Sequence, residues 1–320
     1  MNKLGLSFLS GIIILSLTVG CSKNSTVGTA GKNQSEATAV PSATPVTASV
    51  PTPTPIPTVK PTPVPTPTPA PTSAAQPSRD LSLVKLNASV LNALDNKKLS
   101  WWITLNKNHQ PTTVPNDIKK MIDDHGGIYI GDPSKKVVYL TFDEGYENGY
   151  TPKILDTLKA NNVKAIFFIT GPFLNQNGDL VKRMLDEGHQ VGNHTINHPS
   201  LPTLDNAGVE NELLGLEKQM NAKFGKGFKY MRPPMGEYST RTLEAAKQLG
   251  YTSVFWSFAY LDYDVNNQKG ADYAYSMVMN NLHNGAVYLL HAVSKDNTEA
   301  LDRIIKDIKA QGYEIRSLDL

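Results

Sequence analysis

Asp143 and Glu144, His194 and His198, Arg232, Asp262 and His291 each sit just after a short apolar run that reads as a β-strand. When parallel strands are joined by helices, such positions open onto one face of the sheet, where these folds place their active sites. Single acids or histidines mean little. Two adjacent carboxylates, a histidine pair four residues apart and a late lone histidine on one rim are the ligand and acid–base set of a metal-dependent hydrolase.

The histidine pair lies in His194-Thr195-Ile196-Asn197-His198-Pro199. Histidines four apart on a helical turn project from one face and can share a cation. Pro199 disfavours helical geometry at His198, so the turn is expected to stop there. Thr141-Phe142-Asp143-Glu144-Gly145 supplies the acids. One carboxylate can complete a His/His/carboxylate set that leaves positions open for water and substrate; the other can serve as general base. Gly145 allows a sharp turn that would bring both side chains inward. The guanidinium of Arg232, followed by Pro233-Pro234-Met235-Gly236, can hold a carboxylate ionised and in one orientation. His291 closes the run Leu289-Leu290-His291, while His109, His125, His189 and His283 have no such placement and read as structural.

The elements that must position these residues alternate regularly from Lys135 onward. Strands are expected at Val137–Phe142, Ala165–Ile169, His189–Asn193, Phe228–Arg232, Thr252–Ser257, Ala286–His291 and Tyr313–Ser317. Helices are expected from Thr151-Pro152, with Thr151 as N-cap, and at Asp179–Glu187, Leu204–Phe224, Ser239–Leu249, Asp272–Leu282 and Thr298–Ala310. This alternation argues for an α/β fold with a parallel sheet and right-handed crossovers. The strand count suits an incomplete barrel, and periodicity alone leaves an open sheet equally allowed. Before it, residues 80–130 form a lead-in segment with a helical stripe from Leu81 to Leu94 and the pair Trp101-Trp102, expected to pack over the barrel or line a groove.

With 320 residues and 40% hydrophobic content the chain can hold one full core, though not all of it reads as globular. A net charge of +2, without basic clusters or aromatic platforms, excludes nucleic acid as a partner. Residues 22–79 are rich in Ser, Thr, Ala and Pro, with Pro-Thr repeats from Pro51 to Pro71, a composition that stays disordered and prefers polyproline II. Such a tether could hold a domain about 100–150 Å from a bilayer. Lys3 and the apolar stretch Leu4–Gly20 read as a secretory signal ending at Cys21, the only cysteine, so no internal disulfide can form. Leu17-Thr18-Val19-Gly20-Cys21 resembles a bacterial lipoprotein lipobox, with Thr18 where leucine is usual; an uncleaved membrane anchor is the alternative. Either reading places the rest of the chain outside the cytoplasmic membrane, in the cell envelope.

From Lys135 to Leu320 the motifs together resemble the NodB-homology polysaccharide deacetylases, carbohydrate esterase family 4. Thr-Phe-Asp, His-Thr-x-x-His, Arg-x-Pro-x-Gly, an aspartate segment and Leu-x-His run in that family's order. The resemblance implies a distorted (β/α) barrel of about seven parallel strands and a divalent metal, zinc, manganese or cobalt, held by His194 and His198. It implies Asp143 as general base oriented by Arg232, His291 as general acid tuned by Asp262, and the Met235 N–H as an oxyanion donor. Glu144 stands where most members carry a metal-binding aspartate, so it is the expected third ligand; Asp262-Tyr263 replaces the usual Asp-Trp.

A closer similarity, carried by Gly145–Pro152, Phe255-Trp256-Ser257, Asn266–Gly270 and Tyr288–His291, is to the muramic-δ-lactam branch of that family. Its members deacetylate N-acetylmuramic acid in spore-cortex peptidoglycan, and they also depart at the second acid of the first motif, which implies the alternative of a metal held chiefly by the two histidines and water. That resemblance implies glycan strands as substrate and a role in sporulation; the lipobox at Cys21 implies a lipid anchor, and a monomer is expected. The alternatives are deacetylation of N-acetylglucosamine in peptidoglycan or chitin-like glycan, and a non-catalytic glycan-binding module.

Overall fold

The structure is a computed structural model that describes residues 77–106 and 108–318, all within one compact unit, Pro65–Leu320. The signal segment, Cys21 and the Pro/Thr tract to residue 76 lie outside the described residues. In chain order the elements begin with α1 (Ala88–Asn92), β1 (Leu99–Ser100), α2 (Asn116–Asp124), β2 (Val137–Glu144), α3 (Thr151–Ala160), β3 (Ile166–Ile169), α4 (Gly171–Gln176), α5 (Gly178–Asp186) and β4 (Gln190–Asn193). They continue with α6 (Asn206–Phe224), β5 (Tyr230–Met231), β6 (Glu237–Tyr238), α7 (Thr240–Gln248), β7 (Thr252–Ser253), α8 (Ala271–Asn280), β8 (Val287–His291), α9 (Lys295–Ala310) and β9 (Glu314–Ile315).

The parallel sheet has the order β7-β5-β4-β3-β2-β8, with β9 also on β2. Its centre is β2, whose residues are all buried, as expected of a strand covered on both faces. Alternation divides β2 cleanly. Val137 and Tyr139 join Ile166, Phe168, Tyr230, Val254 and Val287 in the cluster inside the curl of the sheet, whereas Val138, Leu140 and Phe142 join Phe167, Ile169 and the helices outside it. The segment after β7 then swings back to β8: Ser257 N–H donates to Val287 O (3.0 Å) and Leu289 N–H to Phe258 O (2.9 Å). The sheet is thereby drawn into the distorted barrel that the motifs imply, and the seven expected strands all form.

The lead-in segment belongs to this body. Asp80 and Asn87 each cap a separate short helix, so the expected stripe from Leu81 breaks into a 3₁₀ turn and α1. β1 pairs antiparallel with β6, and Trp101 lies beneath that ladder, stacked on Phe255 with ring centroids 4.6 Å apart. Its indole N–H donates to Trp256 O (3.0 Å). At the N-terminal edge Arg79 grips the buried carboxylate of Glu217 on α6 with two hydrogen bonds of 2.8 and 2.7 Å, and the Tyr251 hydroxyl donates to the same carboxylate. Packing is thus the use of Trp101, while Trp102 stays exposed.

Gly192 on β4 is set by close approach: a Cβ there would lie 2.4 Å from Cδ1 of Phe168, a fully buried ring. Gly192→Ala should therefore destabilise by about 1–3 kcal/mol. Urea unfolding should show a lowered midpoint at unchanged slope, and an unaltered midpoint would refute the contact.

Candidate active site

Register brings the first two groups together. Asp143 on β2 pairs with His291 on β8 and with Phe168 on β3, so the acid and the imidazole leave neighbouring strands at one level. Asp143 lies on the inner face, following Val137, Tyr139 and Thr141. Its Oδ1 accepts from Arg232 Nη1 at 2.6 Å, with Asp143 7% and Arg232 0% exposed. The guanidinium is anchored further: Nε donates to Val254 O (3.1 Å), Nη2 to Thr141 Oγ1 (2.8 Å), and its carbon lies 4.2 Å from the Phe168 ring centroid. Burial pushes the Asp143 carboxyl up, but the charge of the Arg232 guanidinium leads the opposing effects, which outweigh burial and hold it below the ordinary aspartate range.

The histidines come from the loop after β4. Their expected helical turn does not form: the segment is irregular, with Thr195 and His198 at left-handed φ of 68° and 58°. Side chains hold it in place of helical bonds. Asn193 Oδ1 accepts from Thr195 N–H (2.9 Å), Thr195 Oγ1 accepts from His198 N–H (3.0 Å), and both oxygens of Glu212 on α6 accept from Asn197 at 2.8 Å. The two Nε2 atoms end 3.2 Å apart, and His194 Nε2 lies 3.4 Å from Asp143 Oδ2.

This donor set can be tested against a metal. His194 Nδ1 lies 2.8 Å from Arg232 O, so it carries the proton and leaves the Nε2 lone pair facing His198. Burial lowers His194 to about 4 and lowers His198 as well, which keeps both imidazoles in the neutral form that a cation requires. Tetrahedral donors about 2.0–2.1 Å from a metal sit about 3.3–3.4 Å apart, close to the spacings found. Among the described residues no cluster of three or more His, Cys, Asp or Glu forms a full cage. The residues therefore fit a cation held by two imidazoles with solvent, beside an Asp143 already engaged by Arg232.

Glu144 is not in this group. β2 continues through Glu144, so alternation sends its side chain to the opposite, helix-covered face, where Thr151 Oγ1 is 3.3 Å from both carboxyl oxygens. Burial, then the nearby charge of Glu147, raises its pKa well above the ordinary glutamate value. A fully buried acid behind the strand, bonded to Thr151, stands in place of the expected third ligand. Thr151 is accordingly not the cap of α3: it is the first helical residue, and Tyr150 occupies the cap position without a side-chain bond.

The other expected residues do assemble. Asp262, buried, accepts from His291 Nδ1 (2.6 Å) on Oδ1 and from His291 N–H (2.7 Å) on Oδ2. Burial lowers the basicity of His291, but the Asp262 charge and hydrogen bond outweigh it and raise its pKa. Met235, three residues past Arg232, holds a left-handed φ of 58° at the mouth of the loop. Asn297 and Tyr260 are residues that the motifs did not reveal. Asn297 Nδ2 donates to Asp262 Oδ2 (2.5 Å) and its Oδ1 accepts from Tyr260 OH (2.5 Å), which fixes the carboxylate that orients His291. His109, His125 and His283 each bind a backbone carbonyl, and His189 Nδ1 accepts from Ala165 N–H, so all four are structural.

Comparison with known proteins agrees with this geometry. The profile of the polysaccharide deacetylase family matches residues 130–254. The chain is 44% identical over 233 residues to the peptidoglycan-N-acetylmuramic acid deacetylase PdaA of Bacillus subtilis, covering 72% of this chain and 89% of that one. It is 48% identical over 228 residues to a 30.6 kDa protein of Geobacillus stearothermophilus, covering 71% and 86%. The solved structure of Bacillus subtilis PdaA, a family 4 carbohydrate esterase, superposes with a TM-score of 0.69 at 44% identity over 71% of this chain and 97% of that one.

Two substitutions test the assignments. Glu144→Gln should leave metal stoichiometry unchanged by elemental analysis, whereas His194→Ala should abolish it; metal loss in the glutamine variant would restore Glu144 as a ligand. Asn297→Leu leaves one Asp262 oxygen short of a donor, a loss of about 1–3 kcal/mol. It should lower kcat more than it raises KM, and an unchanged kcat would remove Asn297 from the relay.

Proposed function

The chain belongs to the polysaccharide deacetylase family, and from that premise we propose that it removes the acetyl group from N-acetylmuramic acid in peptidoglycan glycan strands. The observation that carries the chemistry is the pairing of a buried dyad, Asp143–Arg232, with a half-buried one, Asp262–His291, at one register of β2 and β8. One dyad is tuned to accept a proton and the other to give one. The muramic substrate is supported by the name of the 44% identical relative.

Asp143, kept ionised by Arg232, takes the proton of the water that attacks the acetamide carbon. The Met235 N–H donates to the oxygen on which negative charge then gathers. As the C–N bond breaks, protonated His291 passes its proton to the departing nitrogen, so acetate and a free amine leave. Asp262 holds the imidazole in the tautomer and orientation this requires. A divalent cation at His194 and His198, zinc with manganese or cobalt as substitutes, polarises the carbonyl and acidifies water when bound. The amine freed on muramic acid can close on the lactyl carboxyl to form the δ-lactam of spore cortex. The protein works outside the cytoplasmic membrane as a monomer, anchored through lipid on Cys21 and extended by the Pro/Thr tether.

Incubation with zinc and glycan strands carrying peptide-free muramic acid, followed by mass spectrometry, should show acetyl loss at the muramic unit, with or without loss of water. Acetyl loss confined to glucosamine would replace the substrate and keep the mechanism; no loss from either sugar would favour a glycan-binding module. Asp143→Asn should fold, bind metal and lose about 10²–10⁴-fold in turnover.

A pH profile tests His291. It donates only while protonated, so activity falls as pH rises through a pKa held above the ordinary histidine value by Asp262. Asp262→Asn removes that charge and should move the alkaline limb to lower pH; an unmoved limb would exclude His291 as the acid.

A further inference from the structure

The two neighbouring tryptophans separate completely. Trp101 is 7% exposed and Trp102 75%, although they follow one another directly after β1. The β1–β6 ladder ends at the hydrogen bond from Trp101 N–H to Gly236 O (2.8 Å). Trp102 and Met235 are the next residues along the chain from that hydrogen-bonded pair, Met235 in the 3₁₀ turn that precedes β6. Met235 is 55% exposed, and its loop starts at the arginine that holds Asp143. One exposed apolar side chain is ordinary, whereas two large ones leaving the same end of a ladder, at the mouth of a catalytic site, form a patch that water does not favour.

Rigid backing adds to the case. Trp101 stacks on Phe255 and bonds to Trp256 O, and Lys98 pairs with Glu237 at 2.8 Å across the same ladder. Trp102 thus needs little further ordering to present a broad flat face. On the His291 side of the mouth, Leu261 and Tyr263 are also exposed, and the Tyr263 ring meets His291 edge-on with centroids 5.4 Å apart. Asp143 and His291 lie close to these exposed side chains, through Arg232 on one side and Tyr263 on the other. A polymeric substrate must carry further rings past at least one of them, and the C–H face of a pyranose is the apolar surface that a flat indole covers well.

We propose that Trp102, beside Met235, is the stacking platform for the pyranose ring adjoining the unit whose acetamide is cleaved. The platform rests on the proposed deacetylation and deepens it: it selects glycan strands over free sugars and leaves the bond-breaking step untouched. A second copy of this chain is a poorer occupant, because Trp102 and Met235 offer one small patch and no broad apolar face.

The test compares the whole protein with Trp102→Ala and Trp102→Tyr, on peptide-free glycan strands and on free N-acetylmuramic acid, which has no adjoining ring. Trp102→Ala should raise KM for strands about tenfold at unchanged kcat, as loss of a tryptophan contact at a binding surface does. Trp102→Tyr should recover most of the difference, and the constants for the free sugar should not move. Equal strand KM for wild type and Trp102→Ala overturns the proposal. Affinity for the same strands, measured by fluorescence titration in an Asp143→Asn background, gives a readout independent of turnover. There Trp102→Ala should weaken binding about tenfold, and unchanged affinity also overturns the platform. Weakened binding alongside a wild type that releases no acetate would leave the platform standing and remove the proposed chemistry.

Discussion

The Asp143–Arg232 ion pair governs the catalytic end of this barrel. Taking both charges out of water costs several kcal/mol per ion, so such a pair survives only where its remaining donors are satisfied and its geometry is close. Arg232 meets that demand by drawing on carbonyls of Val254 and Phe255, the hydroxyl of Thr141 and the face of Phe168. Those partners come from β2, β3 and the segment after β7. The pair therefore dictates where these strands end and how they approach, and the bare Gly192 on β4 is the space left for Phe168 beneath it.

The loops around the pair are ordered by side chains. Thr195, His198 and Met235 all sit at left-handed φ without being glycine, a conformation costing on the order of 1–3 kcal/mol each. Asn193, Thr195 and Glu212 hold the first two there, each oxygen taking a backbone or amide donor that a helix would otherwise have used. The same logic runs through Tyr260, Asn297, Asp262 and His291. A chain of buried hydrogen bonds leaves the imidazole one orientation.

Much of this was legible in the sequence. Apolar runs bounded by helical periods mark the strands, and the motif order marks which strand ends matter. Glu144 was misplaced because β2 was expected to stop at Phe142, which would put both acids in a turn. With the strand continued to Glu144, a period of two separates them onto opposite faces. The HxxxH spacing fits a helical turn as well as a loop, and only Glu212, fourteen residues beyond His198, tips it toward the loop. α4 escaped notice because six residues opening on Gly171-Pro172 carry no period. β7 is shorter than its apolar run because the chain beyond it turns to Ile128 and then to β8. Asn297 carries no signal at all: its role arises only where the start of α9 meets the loop of Asp262.

The grip of Arg79 on Glu217 carries a mechanical implication. It ties the first described residues of the chain to α6, the helix from which Glu212 braces the histidine loop about one and a half turns away. A pull arriving from the N-terminal side is delivered first to that buried carboxylate and shared along the helix, so the anchor and the brace of the site bear load on a single rod.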